Sequence, residues 1–381
     1  MVVTGGPLEG LEIIMIRLSK SCIGKSEIRA VAEVLEKEFL GMGKKVQEFE
    51  GLLSDFFGRQ AVCVVNGTAA LHLACQAIGL KTGDEVLVQS LTFVASCQAI
   101  AATGARPVFC EVKPDTITID LADAEKRITE NTRAIMPVHY SGGVGDLDGV
   151  YKFAEKHKLR VIEDAAHAFG TLYNEKKTGS FGDISCFSFD GIKNITSGEG
   201  GCIVTDDPEI LEKVKDARLL GVVKDTEKRF SGERSWQFEV TEQGWRYHMS
   251  DLMAAIGIEQ FKKFPEMAKK RKMLAALYAD LLKDNKNVRL LNLDHDQVVP
   301  HIFVVKLNGK IKHKVAEVLK EKGIQTGAHY QPSHWLKYFQ QVGCELPVTD
   351  AIYDELLTLP LHPDLEPADV RYIVDSLNSV L

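Results

Sequence analysis

Short apolar runs alternate with helix-patterned segments through the first half of the chain. Seven runs rich in apolar and β-branched residues occupy positions 61–65, 86–88, 107–112, 133–138, 159–163, 184–189 and 202–205. Most of them are separated by segments with apolar residues at helical spacing, of which residues 68–78 are an example. Continuous apolar strands that alternate with helices are typical of a mainly parallel sheet with both faces covered. The pattern therefore predicts an α/β fold built on a seven-stranded, mainly parallel sheet.

A further helix is predicted before the first strand, over residues 26–39. Its apolar positions recur at i, i+3, i+4 and i+7, and they are Ile28, Val31, Ala32 and Leu35. Ser26 is a suitable N-cap because its hydroxyl can accept a hydrogen bond from a free backbone N–H. We expect this amphipathic helix to pack against the main domain.

The second half of the chain changes pattern near Pro265. Residues 251–282 have helical periodicity, and a proline inside a helix removes a hydrogen bond and favours a break. From about residue 287 the order is strand, helix, an irregular stretch rich in Pro and His, and a final helix. Because 381 residues exceed the usual size of one core, we predict a lead with little structure over 1–17, a large domain over 18–264 and a small α+β domain over 265–381. The sequence leaves open whether Met1 or Met15 is the natural start.

The composition is that of an ordinary globular protein, with 45% hydrophobic and 26% charged residues. A net charge of −7 gives no support to nucleic-acid or anionic-membrane binding. Eight cysteines fall at irregular spacings with no C-x-x-C pair, which is typical of reduced core thiols rather than a disulfide framework or zinc site. No apolar stretch approaches the length of a membrane span, and residues 11–16 lack the features of a signal peptide. We therefore expect a cytoplasmic protein without a metal centre.

Lys193 follows a buried apolar strand and precedes a glycine-rich turn, a setting that suits a lysine that forms a Schiff base. An amine can form an imine when desolvation or a nearby cation lowers its pKa. Asp164 ends another apolar run, and the carboxyl ends of parallel strands meet at one crevice, so we expect both side chains to face the same ligand. Pyridoxal phosphate needs a lysine for its aldehyde and a carboxylate to keep its ring nitrogen protonated. The alternatives are that Lys193 is an ordinary surface lysine and that Asp164 is the N-cap of a helix.

Five other residues are candidate contacts to such a cofactor. Gly67 and Thr68 open a helix directly after the first strand, where free backbone N–H groups and a hydroxyl can hold an anion; the alternative is an ordinary strand-to-helix turn. Ser188 is a second candidate for the phosphate, or a satisfied strand hydroxyl. Phe93 could cover a planar ring or belong to the core. His167 could stack on the ring or hydrogen-bond to it, or start a helix.

Histidines and a tyrosine cluster in the proline-rich part of the C-terminal region. His329, Tyr330 and His334 lie in loops that could line a substrate entrance. The spacing of His329 and His334 straddles Pro332 and fits no zinc pattern, so we expect no metal there. The sequence contains no G-x-x-x-x-G-K-[ST] nucleotide-binding motif, and Gly143-Val144-Gly145 lacks the third glycine of a dinucleotide-binding motif.

Taken together, the motifs resemble the DegT/DnrJ/EryC1/StrS family of sugar aminotransferases, a branch of the aspartate-aminotransferase fold (type I) of pyridoxal phosphate enzymes. The resemblance runs from about Leu18 to the C-terminus. It rests on residues 43–50 (GKKVQEFE), 66–73 (NGTAALHL), 83–95 (GDEVLVQSLTFVA), 137–139, 163–168 (EDAAHA), 187–201, 249–257 (MSDLMAAIG) and 359–363 (LPLHP). So many motifs in one order indicate common descent.

The resemblance implies a cytoplasmic homodimer with active sites at the subunit interface. Lys193 would hold the cofactor and move protons, and Asp164 would pair with the pyridine nitrogen. Phe93 would stack on the ring, and His167 would lie near the cofactor's hydroxyl side. The phosphate would be held by Gly67, Thr68 and Ser188. L-glutamate would be the amino donor, and a keto-sugar, typically nucleotide-linked, would accept the amine for an amino sugar of a polysaccharide, a lipopolysaccharide or a glycosylated metabolite.

Two departures from the family pattern bear on the substrate. Where the family usually has an asparagine that reaches the partner subunit's phosphate, this chain has Arg246, which would do the same with a full charge or bind an acidic substrate. Its neighbours Tyr247 and His248 are candidate substrate contacts. Asp190 stands where histidine is frequent. A free keto-sugar acid, similar to Kdo, therefore stays open as the substrate.

Two other functions are weighed against a sugar aminotransferase. The first is a pyridoxal phosphate-dependent sugar dehydratase, which in this family carries histidine in place of the lysine. The second is a non-catalytic regulator that keeps the fold, which has no need of an imine-forming Lys193.

Overall fold

Seven strands form one sheet through the first two thirds of the chain. The computed structural model describes residues 15–233, 236–308 and 311–381, so most of the predicted lead over residues 1–17 lies outside the described residues. The strands of the described residues, including those of two smaller sheets, are β1 (Gln60–Val64), β2 (Glu85–Gln89), β3 (Arg106–Cys110), β4 (Thr132–Met136), β5 (Arg160–Asp164), β6 (Leu172–Tyr173), β7 (Lys176–Lys177), β8 (Ile184–Ser188), β9 (Gly201–Thr205), β10 (Val288–Leu290), β11 (Phe303–Leu307) and β12 (Leu356–Leu359). All seven strands predicted between residues 61 and 205 are present, within a few residues of the expected bounds.

The seven-stranded sheet has the order β1-β9-β8-β5-β4-β2-β3. Strand β9 runs antiparallel to both of its neighbours, and the other pairs are parallel. The helices are α1 (Lys25–Glu36), α2 (Lys44–Phe57), α3 (Gly67–Ala77), α4 (Val94–Ala102), α5 (Leu121–Arg127), α6 (Leu147–His157), α7 (Pro208–Ala217), α8 (Thr226–Phe230), α9 (Asp251–Leu282), α10 (Lys312–Glu321), α11 (Pro347–Glu355) and α12 (Pro367–Asn378). The α/β fold with a seven-stranded, mainly parallel sheet is confirmed.

Helices cover both faces of this sheet because its strands are apolar on both sides. In β1, Val62 and Val64 pack with α3, α4 and α7, whereas Ala61 and Cys63 pack with α2 and the first half of α9. The continuous apolar runs in the sequence thus reflect strands buried on two faces. All eight cysteines are free thiols, and no helix among the described residues is long and apolar enough to cross a membrane.

Helix α1 packs against α9, but through a different face from its apolar positions. The buried residues are Glu27 and Val34, whereas Ile28 and Leu35 are 65% and 52% exposed. The carboxylate of Glu27 accepts hydrogen bonds from Gly24 N at 2.9 Å and from Lys263 Nζ at 2.6 Å. Gly24, rather than Ser26, is the N-cap residue. The apolar face that the sequence pattern picks out is therefore left open to solvent.

Helix α9 runs through Pro265 without a break, so the expected interruption there is wrong. Its second half packs on the small antiparallel sheet β10-β11-β12, together with α10 and α12, around a separate core. One continuous helix thus belongs to both cores. The domain boundary at residues 264 and 265 remains a prediction.

Candidate active site

A cavity of about 490 Å³ opens at the carboxyl ends of the parallel strands. The turns after β1, β2, β5 and β8 supply most of its wall, and the segment before α11 closes one side. Its lining includes nine of the residues selected from the sequence: Gly67, Thr68, Phe93, Asp164, His167, Ser188, Lys193, His329 and Tyr330. Residues that are up to 263 positions apart in the chain are therefore brought together, since 330 minus 67 is 263.

Lys193 lies in the turn after β8, where its backbone N–H donates to the Asp190 carbonyl at 3.0 Å. Its side chain is only partly exposed, and the surface that it exposes lies in the cavity. Burial lowers the pKa of the amine to about 8, although the carboxylates of Asp190 and Asp164 act in the opposite direction. Nζ lies 3.3 Å from His301 Nε2. At pH 7 about one molecule in ten therefore carries the neutral amine, far more than for an ordinary lysine.

Asp164 is the last residue of β5, and its carboxylate is buried. Oδ2 accepts a hydrogen bond from Ser96 Oγ at 2.6 Å, and Oδ1 accepts one from the Ala166 N–H at 3.2 Å. Burial raises the pKa of Asp164, while the hydrogen bonds and the charge of Lys193 oppose that shift. A protonated ring nitrogen placed beside this carboxylate would favour its charged form.

The N-terminus of α3 forms the part of the cavity that suits an anion. Asn66 caps the helix by accepting from the Ala69 N–H at 2.8 Å, which leaves Gly67 and Thr68 at the first turn. A Cβ built on Gly67 would lie 2.8 Å from Ser188 Cβ, so only glycine allows this close approach of helix and strand. Free N–H groups at the positive end of a helix, next to a serine and a threonine hydroxyl, provide the donors that a phosphate needs.

Two aromatic rings and a histidine form another part of the cavity wall. Phe93, at the start of α4, is 54% exposed and has its ring centroid 5.5 Å from that of Tyr330. The Tyr330 hydroxyl lies 3.0 Å from His167 Nε2. The buried His167 Nδ1 has no hydrogen-bond partner among the described residues. Such a polar atom at a cavity wall is available to a bound molecule.

The histidines of the cavity are uncharged. Burial, followed by the charges of Lys193 and His329, lowers the pKa of His167 well below its ordinary value. Burial and Lys193 lower the pKa of His329 to about 4, and its Nδ1 is 2.8 Å from Thr358 Oγ1. The cavity therefore offers hydrogen-bonding groups without added positive charge.

Four residues selected from the sequence do not line this cavity within one subunit. Arg246 is exposed, and the Tyr247 hydroxyl lies 3.4 Å from His72 Nδ1. Burial and the neighbouring Arg246 lower the pKa of His248 to about 4. His334 has Nδ1 2.7 Å from Ser90 Oγ and Nε2 3.3 Å from Asp350, and it lines a different depression. The fold thus separates His334 from its neighbours His329 and Tyr330.

Sequence reasoning missed two residues that contact the central pair. Ser96 donates to Asp164, and its position two residues into α4 carries no motif of its own. His301 lies beside Lys193 although 108 positions separate them in the chain. A lone histidine before an apolar strand has no sequence signal that distinguishes it from a core histidine. No cluster of His, Cys, Asp or Glu suited to a metal ion occurs in the part of the chain that the structure describes.

The chemistry of this donor set fits pyridoxal phosphate. An amine with a lowered pKa, a buried carboxylate, a helix N-terminus beside two hydroxyls and an exposed aromatic ring share one cavity. The unpartnered His167 Nδ1 adds a polar contact. These are the groups that the aldehyde, ring nitrogen, phosphate and ring face of this cofactor require.

The comparisons with known proteins agree with this fit. The model of the DegT/DnrJ/EryC1/StrS aminotransferase family matches residues 21–378. The spore coat polysaccharide biosynthesis protein SpsC of Bacillus subtilis is 36% identical over 371 residues, which cover 94% of this chain and 95% of SpsC.

Two solved structures are similar over almost the whole chain. The first is PseC of Helicobacter pylori, an aminotransferase involved in the biosynthesis of pseudoaminic acid, with a TM-score of 0.89, 31% identity and coverage of 96% of this chain and 99% of PseC. The second is the PLP-form of Spr1654 from Streptococcus pneumoniae, named as a sugar aminotransferase, with a TM-score of 0.89, 28% identity and coverage of 96% and 98%. The chain therefore belongs to the DegT/DnrJ/EryC1/StrS aminotransferase family, and it is a sugar aminotransferase that depends on pyridoxal phosphate.

Proposed function

We propose that the enzyme transfers the amino group of L-glutamate to the carbonyl carbon of a nucleotide-linked keto-deoxysugar. The observation that carries this proposal is the pair Lys193 and Asp164, which line one cavity next to the N-terminus of α3. When bound, pyridoxal phosphate supplies an electron sink and accepts and returns the amino group.

Lys193 has two tasks in this proposal. Its amine holds the aldehyde carbon of the cofactor, and once released it takes the proton from the α-carbon of the donor and returns a proton to the accepting carbon. A pKa of about 8 suits both tasks, because the amine is a base of useful strength and is not fully protonated near neutral pH. Asp164, oriented by Ser96, holds the ring nitrogen in its protonated form.

The remaining cofactor contacts follow from the cavity wall. Gly67, Thr68 and Ser188 hold the phosphate at the start of α3, where the helix dipole favours an anion. Phe93 covers one face of the ring, and His167 lies near the ring hydroxyl, where its free Nδ1 can form a hydrogen bond. Each of these contacts is a separate target for substitution.

The charges around the cavity favour an uncharged keto-sugar ring over a keto-sugar acid. Asp190 and Glu199 line the cavity beside Lys193, and burial followed by the charge of Asp190 raises the pKa of Glu199. A carboxylate on the sugar would meet these two acids, whereas hydroxyl groups can donate hydrogen bonds to them. His329 and Tyr330 offer further neutral contacts to a sugar ring and complete the proposed substrate site.

The setting of the reaction is proposed to be a cytoplasmic homodimer. The exposed apolar face of α1, with Ile28 and Leu35, supports a protein partner because large apolar residues rarely remain in water as a patch. Arg246, Tyr247 and His248 lie outside the cavity of their own subunit, and in a homodimer Arg246 can reach the phosphate of the other site. The similarity to SpsC, a spore coat polysaccharide biosynthesis protein, supports an amino sugar for a surface polysaccharide as the product, and lipopolysaccharide is the alternative destination.

The first experiment is the absorption spectrum of the purified protein with pyridoxal phosphate. We expect a visible band that disappears when L-glutamate is added and returns when a suitable keto-sugar follows. The panel should pair nucleotide-linked keto-deoxysugars with free keto-sugar acids. Lys193→Ala should lack the band, because no amine remains to hold the aldehyde.

Each other outcome excludes part of the proposal. A band that no amino donor changes would favour dehydratase chemistry over amino transfer. A Lys193→Ala variant that keeps the band would remove Lys193 from its role, and one that keeps full biological activity would favour the non-catalytic regulator. If the band returns only with free keto-sugar acids, the substrate is a keto-sugar acid and not a nucleotide-linked sugar.

A further inference from the structure

His301 is a buried histidine that contacts the amine of Lys193. It lies two residues before β11, in the C-terminal half of the chain, and its side chain is 2% exposed. Nε2 is 3.3 Å from Lys193 Nζ, and the ring centroid is 4.4 Å from that of His167. The side chain thus brings a residue of the C-terminal half of the chain against the reactive amine.

The backbone of His301 is fixed on both sides. Its N–H donates to the Ser141 carbonyl at 3.2 Å, and its carbonyl accepts from Arg271 Nη1 at 3.1 Å. Arg271 is buried in α9 and also reaches the Leu361 carbonyl at 3.3 Å. A guanidinium that holds two separate segments leaves the histidine little freedom to move away from Lys193.

The imidazole itself is neutral and has one free nitrogen. Burial, followed by the charges of Lys193 and His167, lowers the pKa of His301 well below its ordinary value. Its buried Nδ1 has no hydrogen-bond partner within the described ranges. A histidine usually has its tautomer set by the partner of the second nitrogen. Here no such partner fixes it, so Nε2 can act either as an acceptor or as a donor.

We propose that His301 is a positioning residue for the free amine of Lys193 in both of its protonation states. When Lys193 is an ammonium ion, one N–H donates to Nε2 of His301. When Lys193 is a neutral base, Nε2–H donates to the lone pair of Nζ until the substrate replaces it. This inference rests on the proposed function, because it concerns the step in which Lys193 moves a proton.

The proton balance of that step involves Lys193 and the carbons on either side of the transferred amino group. The proton that leaves the α-carbon of the donor forms a bond to Nζ, which would pass it to the cofactor carbon that receives the amino group and become neutral again. In the second half of the reaction Nζ would take a proton from that carbon and deliver it to the accepting carbon of the sugar. His301 gains and loses no net proton, and its two tautomers have the same charge. Its contribution is to keep Nζ within reach, because a misplacement of about 1 Å can slow a reaction by about a hundredfold.

The test uses two substitutions of similar size. His301→Leu removes both hydrogen-bonding functions, whereas His301→Gln keeps an amide that can donate or accept. With His301→Leu we expect the loss of the visible band after L-glutamate addition to slow by about 10- to 100-fold at saturating donor, with little change in the donor concentration for half-saturation. His301→Gln should recover most of that rate.

A second readout does not depend on turnover. The rate at which pyridoxal phosphate adds to the cofactor-free protein, measured from pH 6 to 10, reports how much of the Lys193 amine is neutral. The groups around Nζ that also titrate or carry charge are Asp164, Asp190, Glu199, His167, His329 and Arg271. They are unchanged in the variants. His301→Leu removes the hydrogen bond of the ammonium and that of the neutral amine, but the charged hydrogen bond is the stronger of the two, so its loss decides the direction. We therefore expect His301→Leu to lower the midpoint of this profile by roughly one pH unit.

The outcomes separate this inference from the proposed function. His157→Leu removes a histidine at the end of α6 that bonds to Glu125 of α5, away from the cavity, and should match the wild type in both readouts. The inference is overturned if His301→Leu stays within twofold of the wild type, or if His301→Gln loses as much as His301→Leu, which would indicate a purely structural role. Circular dichroism and melting curves verify that each variant is folded. A wild type whose band does not respond to any donor would refute the proposed function, while the pH profile would still test His301.

Discussion

Replacing Lys193 by methionine is predicted to stabilise the cofactor-free protein at neutral pH. Burial lowers the pKa of Lys193 from 10.5 to about 8, which means that the folded chain disfavours the charged amine. Methionine has a similar length and no charge, so it removes the desolvation penalty and keeps the volume. The gain identifies the part of the stability that the chain gives up to keep a reactive amine.

The magnitude follows from the shift. A difference of 10.5 minus 8, or 2.5 pH units, corresponds to about 3 kcal/mol at 1.36 kcal/mol per unit. Water that enters the cavity screens part of this penalty, so we expect about 2 to 3 kcal/mol at pH 7. Below pH 8 both the folded and the unfolded chain carry the proton, and the whole penalty applies. Between pH 8 and 10.5 the unfolded chain binds more protons, so the wild type gains stability as the pH rises.

The assay is urea unfolding of the two cofactor-free proteins at pH 7 and pH 9.5. The advantage of Lys193→Met should fall by about 2 kcal/mol between these values, which is 1.5 pH units at 1.36 kcal/mol per unit. Lys81→Met, at an exposed lysine, serves as the control and should differ from the wild type by less than about 0.5 kcal/mol at both pH values. A variant that is less stable than the wild type at pH 7, or an advantage that does not change with pH, would refute the reasoning.

Three substitutions test other parts of the site. Gly67→Ala places a Cβ 2.8 Å from Ser188 Cβ and 3.3 Å from its Cα, a clash that rotation of the serine side chain cannot relieve. We expect titration to show a 5- to 150-fold loss of pyridoxal phosphate affinity. Gly51→Ala, with open space around it, is the control and should have no effect. Asp164→Asn should slow the disappearance of the visible band with L-glutamate by about a hundredfold or more. Ser96→Ala, which removes one charged hydrogen bond, should slow it by about tenfold, and equal effects of the two would contradict the proposed order of roles.

The sheet could be predicted from the sequence because each strand has an apolar signal of its own. Runs such as residues 184–189 are buried on both faces, and burial of this kind requires uninterrupted apolar residues. The continuity of α9 could not be predicted in this way. A proline disfavours a helix locally, but packing of the helix on two cores compensates for the lost hydrogen bond at Pro265.

The residues of the candidate site likewise differ in whether the sequence alone could identify them. Lys193, Asp164 and Gly67 could be selected because each lies at or shortly after the carboxyl end of a strand, at the edge where ligands bind in such sheets. His301 and Ser96 could not be selected, since their role depends on contacts between distant segments. His334 illustrates the opposite error: it is close in sequence to Tyr330, yet the chain turns it towards Ser90 and Asp350.

Helix α1 shows that a helical pattern identifies an apolar face but not what covers it. Ile28 and Leu35 satisfy the expected periodicity, yet the helix packs on α9 through Glu27 and Val34. Glu27 can be buried because Lys263 and the Gly24 N–H satisfy its oxygens. An apolar face that its own subunit does not cover is a natural contact for a second copy.

A contact between two subunits through the apolar face of α1 would also affect how tightly the cofactor phosphate is bound. Among the described residues that line the cavity, Lys193 is the one lysine or arginine, and it faces the carboxylates of Asp164, Asp190 and Glu199. The N-terminus of α3 supplies only about half a positive charge, so a phosphate dianion needs a cation from outside the subunit. Arg246 is exposed and is proposed to supply it across the dimer.

We therefore expect dimer formation and cofactor affinity to fail together. The double variant Ile28→Glu/Leu35→Glu should be monomeric by light scattering and should bind pyridoxal phosphate at least tenfold more weakly, although no cavity residue is changed. Val348→Glu introduces a single glutamate at an exposed apolar residue of α11 and should affect neither property. Arg246→Gln should weaken cofactor binding while the dimer persists. A monomer with full affinity would show that one subunit holds the phosphate by itself, and the charge argument would then be wrong.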